Sequence, residues 1–380
     1  MTYEGNCRLG DLFSSRREKG RPGLPTLSVT INDGLVNRED LDRKQDTNLS
    51  PEEHLLVKPG DIAYNMMRMW QGAFGLVDEE GLVSPAYVVL TPKGGIDPAY
   101  AAYLFKTRRM LYLFWAYSYG LTDDRLRLYY PDFAKIPVTI HPVAEQQVRA
   151  RTLAAFKAAL EIHKKLLDNS KAMKRALLQK LLRPHAAAFP AGWHEMEFGD
   201  FVHLVRDQFD PKASPIARWC IELEHIEQGT GRLIGSTTTN TASSIKRVFQ
   251  TGDVLFSKLR PYLQKFWLAQ RDGVCSSEIW IFRPDATICL PEFLPCLLQS
   301  PEFMRSTNAA AGSKMPRAEW EYVQRTPLLL PPLDIQHQVA ELLRTFDAEI
   351  STRADFLEIL SSEFTGLTEQ ILAQAKRTKQ

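Results

Sequence analysis

The 380-residue chain has no excess of either charge: 47 basic and 45 acidic side chains leave +2, with a pI near 8.2. Nucleic-acid-binding domains commonly show a basic footprint with a pI above about 9, so the total charge does not point to DNA. Cysteine is scarce. Cys7, Cys220, Cys275, Cys289 and Cys296 are odd in number and no pair has a two-residue gap. That excludes a disulfide framework and a zinc knuckle, and buried free thiols in a reducing compartment are the expectation. Long apolar runs are missing too. The longest, Met110 to Tyr119, broken only by Ser118, has ten residues, about half of a membrane span. The start, Met-Thr-Tyr-Glu-Gly-Asn, carries no apolar core of a signal peptide, so a soluble, cytoplasmic protein with no membrane partner is expected. Apolar residues at 44% and charged residues at 24% are an ordinary globular mixture, which excludes disorder and collagen.

Catalytic signatures are equally scarce. There is no glycine-rich loop ending in Lys-Ser/Thr, no His-Glu-x-x-His and no nucleophile elbow. Gly229-Thr230-Gly231-Arg232 lacks a third glycine and reads as a turn. Glu222 and His225 are three apart, but no second cluster completes a metal site. No catalytic residue and no metal site are expected.

What the chain does have is a repeat. Residues 57–92 and 249–284 match without gaps at a shift of 192, with eight identities in 36 positions: Gly60/Gly252, Asp61/Asp253, Arg68/Arg260, Phe74/Phe266, Leu76/Leu268, Gly81/Gly273, Ser84/Ser276 and Pro92/Pro284. Chance gives about two for average compositions. Upstream, Leu9-Gly10-Asp11-Leu12 resembles Phe198-Gly199-Asp200-Phe201. Downstream, at a shift of 190, Pro142, Gln146 and Ala150 match Pro332, Gln336 and Ala340. Two copies are too few for a solenoid; a duplicated pair with pseudo-twofold symmetry fits.

Each copy has two parts. Residues 1–142 and 190–331 show short β-type runs, such as Gly81 to Leu90, Gly252 to Ser257 and Ile279 to Phe282, broken by Gly, Pro and Asp. Helices are expected at Pro98 to Thr107 and Pro291 to Ser300. A polar loop is expected at 237–240, continuing to Lys246 and Arg247, as a linker or, as the lesser reading, a DNA contact. Residues 143–183 and 333–375 have almost no Gly or Pro and are rich in strong helix formers. They carry a seam at alternating three- and four-residue spacing: Leu153, Phe156, Leu160, His163 and Leu167 in one, Leu343, Phe346, Ile350, Arg353 and Leu357 in the other. Helices of roughly 40 residues, about 60 Å long, cannot stand alone, so an antiparallel coiled-coil pair is expected. The fold class is α+β: two β-rich domains, 1–142 and 190–331, joined by long helices within 143–189 and 332–380.

Local charge says more than the total. Residues 143–189 hold 10 basic and 3 acidic groups, whereas each β-rich part is balanced. Any nucleic-acid face must therefore be polarised. One candidate segment is Asn65, Arg68, Trp70 and Gln71, with Lys258, Arg260, Tyr262, Gln264 and Lys265 opposite by repeat. A second is Thr122, Arg125 and Arg127, with Lys314 and Arg317 opposite. Arg with amides and aromatics suits phosphate contact and base-edge readout. A solvated hairpin is the plainer reading, and a structural ion pair the plainer reading for Arg68 and Arg260. Lys157, Lys164 and Lys171 recur every seven residues. They read as a solvated helix face or as contacts to spacer phosphates or an acidic partner helix.

The order of these features resembles the specificity subunit of type I restriction–modification enzymes, over essentially the whole chain. The residues that carry the resemblance are Leu9-Gly10-Asp11-Leu12, Gly60-Asp61-Ile62, Gly252-Asp253-Val254, Gly312 to Arg317, the helix starts Ile136 to Gln146 and Pro327 to Gln336, and Leu177 to Leu182. The resemblance implies a non-catalytic subunit that reads a bipartite site in double-stranded DNA with one target-recognition domain per half. It implies methyltransferase subunits docked on the long helices and restriction subunits joining them. No cofactor is expected on this chain; S-adenosylmethionine belongs with the methyltransferase partner, ATP and Mg with the restriction partner. A scaffold without DNA specificity and, more remotely, an endonuclease are the alternatives.

Overall fold

The computed structural model describes residues 5–41, 49–122, 125–182, 191–214, 216–308 and 315–373. The chain packs as two compact units, Met1–His163 with Phe356–Gln380, and Lys164–Asp355. Each unit holds one β-rich copy of the repeat and half of each long helix.

In the first unit a four-stranded antiparallel sheet runs in the order Phe13–Arg16, Tyr87–Pro92, Ile62–Asn65, Phe74–Leu76. The second unit repeats it as Val202–Val205, Ile279–Pro284, Val254–Ser257, Phe266–Leu268. One face of each sheet packs on an aromatic core. Phe13, Tyr64, Phe105, Phe114 and Phe133 fill the first; Phe198, Phe256, Phe282 and Phe303 fill the second. Lateral pairs extend the architecture: Leu55–Val57 with Gly81–Val83, and Leu27–Val29 with Leu35–Asn37. In the second unit the corresponding strands join a five-stranded sheet.

That sheet corrects one expectation. Thr237–Thr238 pairs with Trp219–Cys220, and Lys246–Phe249 pairs with Gly273–Cys275, so both ends of the polar run are strand rather than linker, joined through a 3-10 turn at Thr239–Thr241. Lys246 is buried against Glu222 at 2.6 Å, and Arg247 donates to the Arg206 carbonyl. The expected strand Gly81 to Leu90 is two strands, because Ser84-Pro85-Ala86 turns the chain. The Ser84 hydroxyl accepts from Ala86 N–H at 3.3 Å, and Pro85 has no N–H for a ladder. Ser276 repeats the turn with Glu278 N–H at 3.4 Å, which explains the repeated serine.

Each β-rich part closes where its long helix begins. Gly5–Arg8 pairs antiparallel with Pro137–Ile140, and His194–Glu197 with Pro327–Leu330. Gln146 and Gln336, both fully buried, lock the junction. Each amide nitrogen donates to two carbonyls, His141 and Gly95 or Pro331 and Ile288. Each amide oxygen accepts one N–H, from Asp97 or Leu290. A buried amide satisfied on both ends is costly to replace, which is the physical sense of the repeated glutamine.

The long helices run Val143–Leu182 and Leu333–Leu372 and pair antiparallel within each unit. In the first, the Arg149 guanidinium donates to the Ile371 carbonyl and the His163 ring meets Phe356 at 4.9 Å. In the second, Lys174 Nζ reaches Asp347 at 2.6 Å while Leu178 and Leu182 share a core with Val339 and Leu343. Along the seam Leu153, Leu167, Leu343 and Ile350 are buried; Phe156, Leu160, His163, Phe346, Arg353 and Leu357 are half-buried. Arg353 sits on Glu349 one turn away at 2.7 Å. The unit boundaries fall at His163 and Asp355, at the middle of each helix. Four cysteines are buried and Cys7 is half-buried, all free. Burial pushes the Cys220 and Cys296 thiols up to about 12, so they stay neutral.

Candidate nucleic-acid interface

The Gly-Asp pair that begins the matched segment is an anchor. Gly60 and Gly252 sit at φ 88° and 90°, a left-handed turn that glycine adopts without strain. The turn drives the next carboxylate inward, leaving Asp61 and Asp253 each 2% exposed. Both are fully engaged. Asp61 accepts from Lys58 N–H at 2.9 Å, from Arg16 Nε at 2.9 Å and from the Thr91 hydroxyl at 3.0 Å. Asp253 accepts from Gln250 N–H at 2.8 Å and from both arms of Arg283 at 2.7 and 2.8 Å. The anchor fixes the start of the strand that ends in the candidate face.

Beyond that strand the two candidate segments meet, and they meet the same way in both units. Leu128 N–H donates to the Met66 carbonyl at 2.9 Å, and Ala318 N–H donates to the Lys258 carbonyl at 2.8 Å. By the two repeat shifts these are one bond. Arg260 N–H adds a bond to the Pro316 carbonyl at 2.8 Å. Arg68 with Arg127, and Arg260 with Arg317, are thus brought into one neighbourhood from stretches about 57 to 59 residues apart in sequence.

The individual residues divide. Arg68 and Arg260 are exposed. Among the described residues neither guanidinium meets a carboxylate or another hydrogen-bond partner. Arg125, Arg127 and Gln71 are exposed, as is Tyr262, and Lys258 is half-buried. Others are occupied by the fold. The Asn65 oxygen accepts from Met67 N–H at 3.0 Å, and Trp70 Nε1 donates to the Met67 carbonyl at 3.1 Å. Lys265 donates to the Leu223 carbonyl at 2.6 Å. Arg317 is held by Glu278 through two bonds, at 3.0 and 3.3 Å. Lys314 lies outside the described residues.

Backbone strain marks the second unit's segment. Arg260 and Gln264 bracket a single 3-10 turn, Pro261–Leu263, at φ 51° and 49°. Such left-handed conformations cost side-chain-bearing residues about 1 kcal/mol or more. The repeat partner of Gln264 is Gly72, at φ 84°, where the same bend is free of that strain.

Lys157, Lys164 and Lys171 are exposed along the first long helix. Reading by residue type had passed over Met67, Tyr119 and Leu121, which stand exposed beside the arginines. Their signal was large apolar side chains in a loop rather than in an amphipathic run. Among the described residues no group of His, Cys, Asp and Glu could hold a metal ion, and no helix is long and apolar enough to cross a membrane.

No protein-family model matches the chain. In sequence, 205 residues are 27% identical to the "Type I restriction enzyme EcoDI specificity subunit" of Escherichia coli, covering 53% of this chain and 45% of that protein. Another 174-residue match is 22% identical to the HindI specificity subunit of Haemophilus influenzae, covering 44% of this chain and 38% of that one. The chain thus spans less than half the length of either curated relative. In fold, a chain from a structure describing complex assembly and conformational transition of the type I R-M system matches with TM-score 0.62 at 13% identity, over 98% of both chains. The type I restriction-modification S subunit from M. genitalium matches with TM-score 0.58 at 13% identity, over 98% of this chain and 96% of that one.

Proposed function

We propose that this chain, a homologue of the specificity subunits of type I restriction enzymes, is the non-catalytic reader of a bipartite DNA target. Each β-rich unit, 1–142 and 190–331, reads one half-site. The observation that carries this is the repeated face: the same backbone bond presents an arginine, Arg68 or Arg260, that is unpaired among the described residues, beside a second arginine. A planar guanidinium free of an internal carboxylate is available to guanine O6 and N7, and its neighbours to phosphates. Arg317, tied to Glu278, is a positioning group in this reading; Lys258, Tyr262, Gln264, Arg125 and Arg127 supply further contacts. The long helices set the spacing between half-sites and dock methyltransferase subunits. Lys157, Lys164 and Lys171 contribute contacts to that partner or to spacer phosphates. S-adenosylmethionine would be held by the methyltransferase, and ATP and Mg by a restriction subunit.

The test is exchange. Replacing residues 1–136 with those of another specificity subunit, in complex with the methyltransferase, should change one half of the methylated target and leave the other intact. Both halves changing together would refute the two-reader model. The spacing role has its own test. Four residues inserted after Lys171 lengthen the helix by about 6 Å, nearly two base pairs at about 3.4 Å each. The half-sites should persist, separated by one or two more base pairs. An unchanged spacer with full activity would refute it.

A further inference from the structure

In the first unit the loop after residue 116 is pinched shut by Tyr119 and Arg127. Their backbones exchange both hydrogen bonds, at 3.0 and 2.9 Å. Gly120 permits the closure, since a Cβ there would lie 2.6 Å from the Arg125 carbonyl oxygen. Between this loop and the turn at Met67 is an open concavity of about 470 Å³, lined by Met67, Tyr119, Gly120, Leu121, Arg125 and Arg127. Its apolar side chains face solvent: Leu121 is 95% exposed, Tyr119 64% and Met67 45%. Nothing in packing explains a leucine held out at a loop tip. Clustered exposed apolar groups mark contact surfaces, and Arg125 and Arg127 stand exposed beside them. By sequence the loop also carries Asp123 and Asp124, so its charge does not favour phosphate over a base edge.

We infer that this concavity receives the C5-methyl group of a thymine in the major groove, so that the half-site read by the first unit contains a thymine recognised by apolar contact. The inference rests on the DNA-reading function proposed above. Thymine is the one base that presents a methyl group in that groove, and apolar side chains are what distinguishes it there. The paired Tyr119 and Arg127 bonds fix the base of the loop that carries Leu121, which lowers the ordering entropy that opposes the contact. The sequence of the second unit differs here. At the 190-residue shift the counterpart of 119–124 is 309–314, which reads Ala-Ala-Ala-Gly-Ser-Lys and has no large apolar side chain. The two half-sites are therefore read by different chemistry at this position.

The experiment uses the full chain with its methyltransferase subunits on duplexes carrying the methylation-mapped target. Each thymine is replaced in turn by deoxyuridine, which lacks only the methyl. At one thymine of one half-site the replacement should weaken binding roughly fourfold, the factor carried by one methyl-sized apolar group. Leu121→Ala should abolish that sensitivity and leave every thymine of the other half-site as it was. Sequence-specific binding with no such thymine overturns the inference and leaves the proposed function standing. Equal sensitivity in wild type and Leu121→Ala also overturns it, as does a Leu121→Ala variant that loses methyltransferase association while its DNA contacts persist. Failure of the wild-type complex to bind any sequence selectively overturns the function on which the inference rests.

Discussion

The two units bury the same carboxylate after the same left-handed glycine but neutralise it from different strands. In the first, Arg16 reaches Asp61 from the outer strand Phe13–Arg16, while Thr91 on the intervening strand donates its hydroxyl. In the second, the strand position of Thr91 is taken by Arg283, which makes both charged bonds to Asp253. The residue opposite Ile281 in the outer strand, where Arg16 would fall, is Val205. The arginine has moved by one strand and the carboxylate has kept its partner. What the duplication holds fixed is the satisfied anchor; the means of satisfying it has diverged. The same holds along the helices. Lys174 and Asp347, a pair of one buried and one half-buried side chain in the second unit, correspond at a shift of 190 to Phe364 and Lys157 in the first.

The sharpest way to break the comparison is to remove the anchor. Asp253→Ala and Asp61→Ala each leave a turn amide without its acceptor and an arginine without its carboxylate. Each should lower stability by about 2–3 kcal/mol in denaturant titration of the full chain. Equal losses would support one anchor built twice. The companion test transplants the second unit's solution into the first. Arg16→Val alone should cost about 1–2 kcal/mol, and adding Thr91→Arg should recover most of it. A double variant no better than the single would show that the two arrangements are not interchangeable.

Next in size is the helix junction. Gln146→Ala and Gln336→Ala each strand three buried backbone groups, so losses of about 2 kcal/mol are expected in the same titration. Smaller still is the helix pair. Lys174→Phe with Asp347→Lys makes the second unit resemble the first, and should leave stability within about 1 kcal/mol of wild type, since buried ion pairs exchange with apolar packing at little net cost. Lys174→Ala alone should be worse than the double variant, because burial already pushes the Asp347 carboxyl up while Lys174 pulls it down.

Much of this architecture was legible in the sequence. The long helices start at the expected residues, 143 and 333, and the expected ends, 183 and 375, lie outside the described residues; seam spacing and the near absence of Gly and Pro are local signals. The repeat gave the domain pairing, and Gly60 and Gly252 marked turns. The rest depends on closure at a distance. Nothing near Asp253 in sequence says that Arg283, thirty residues on, will hold it. Lys265 looks like a DNA contact until the fold turns it to the Leu223 carbonyl, and Arg317 until Glu278 meets it. The sheet formed by Thr237–Thr238 was likewise set by a tertiary partner, Trp219–Cys220, rather than by local propensity. Leu121 was missed because a lone exposed leucine has no periodicity to reveal it.

The most direct test of the account is the pair Arg68→Ala and Arg260→Ala, each complexed with methyltransferase subunits and mapped for methylated sites across a genome. Both variants should keep wild-type stability within about 0.5 kcal/mol, as exposed side chains do when they have no partner among the described residues. Each should lose about 1–3 kcal/mol of discrimination at one base position. The relaxed position should lie in one half-site for Arg68→Ala and in the other half-site for Arg260→Ala. Relaxation of the same half-site by both variants, or of neither, would contradict it.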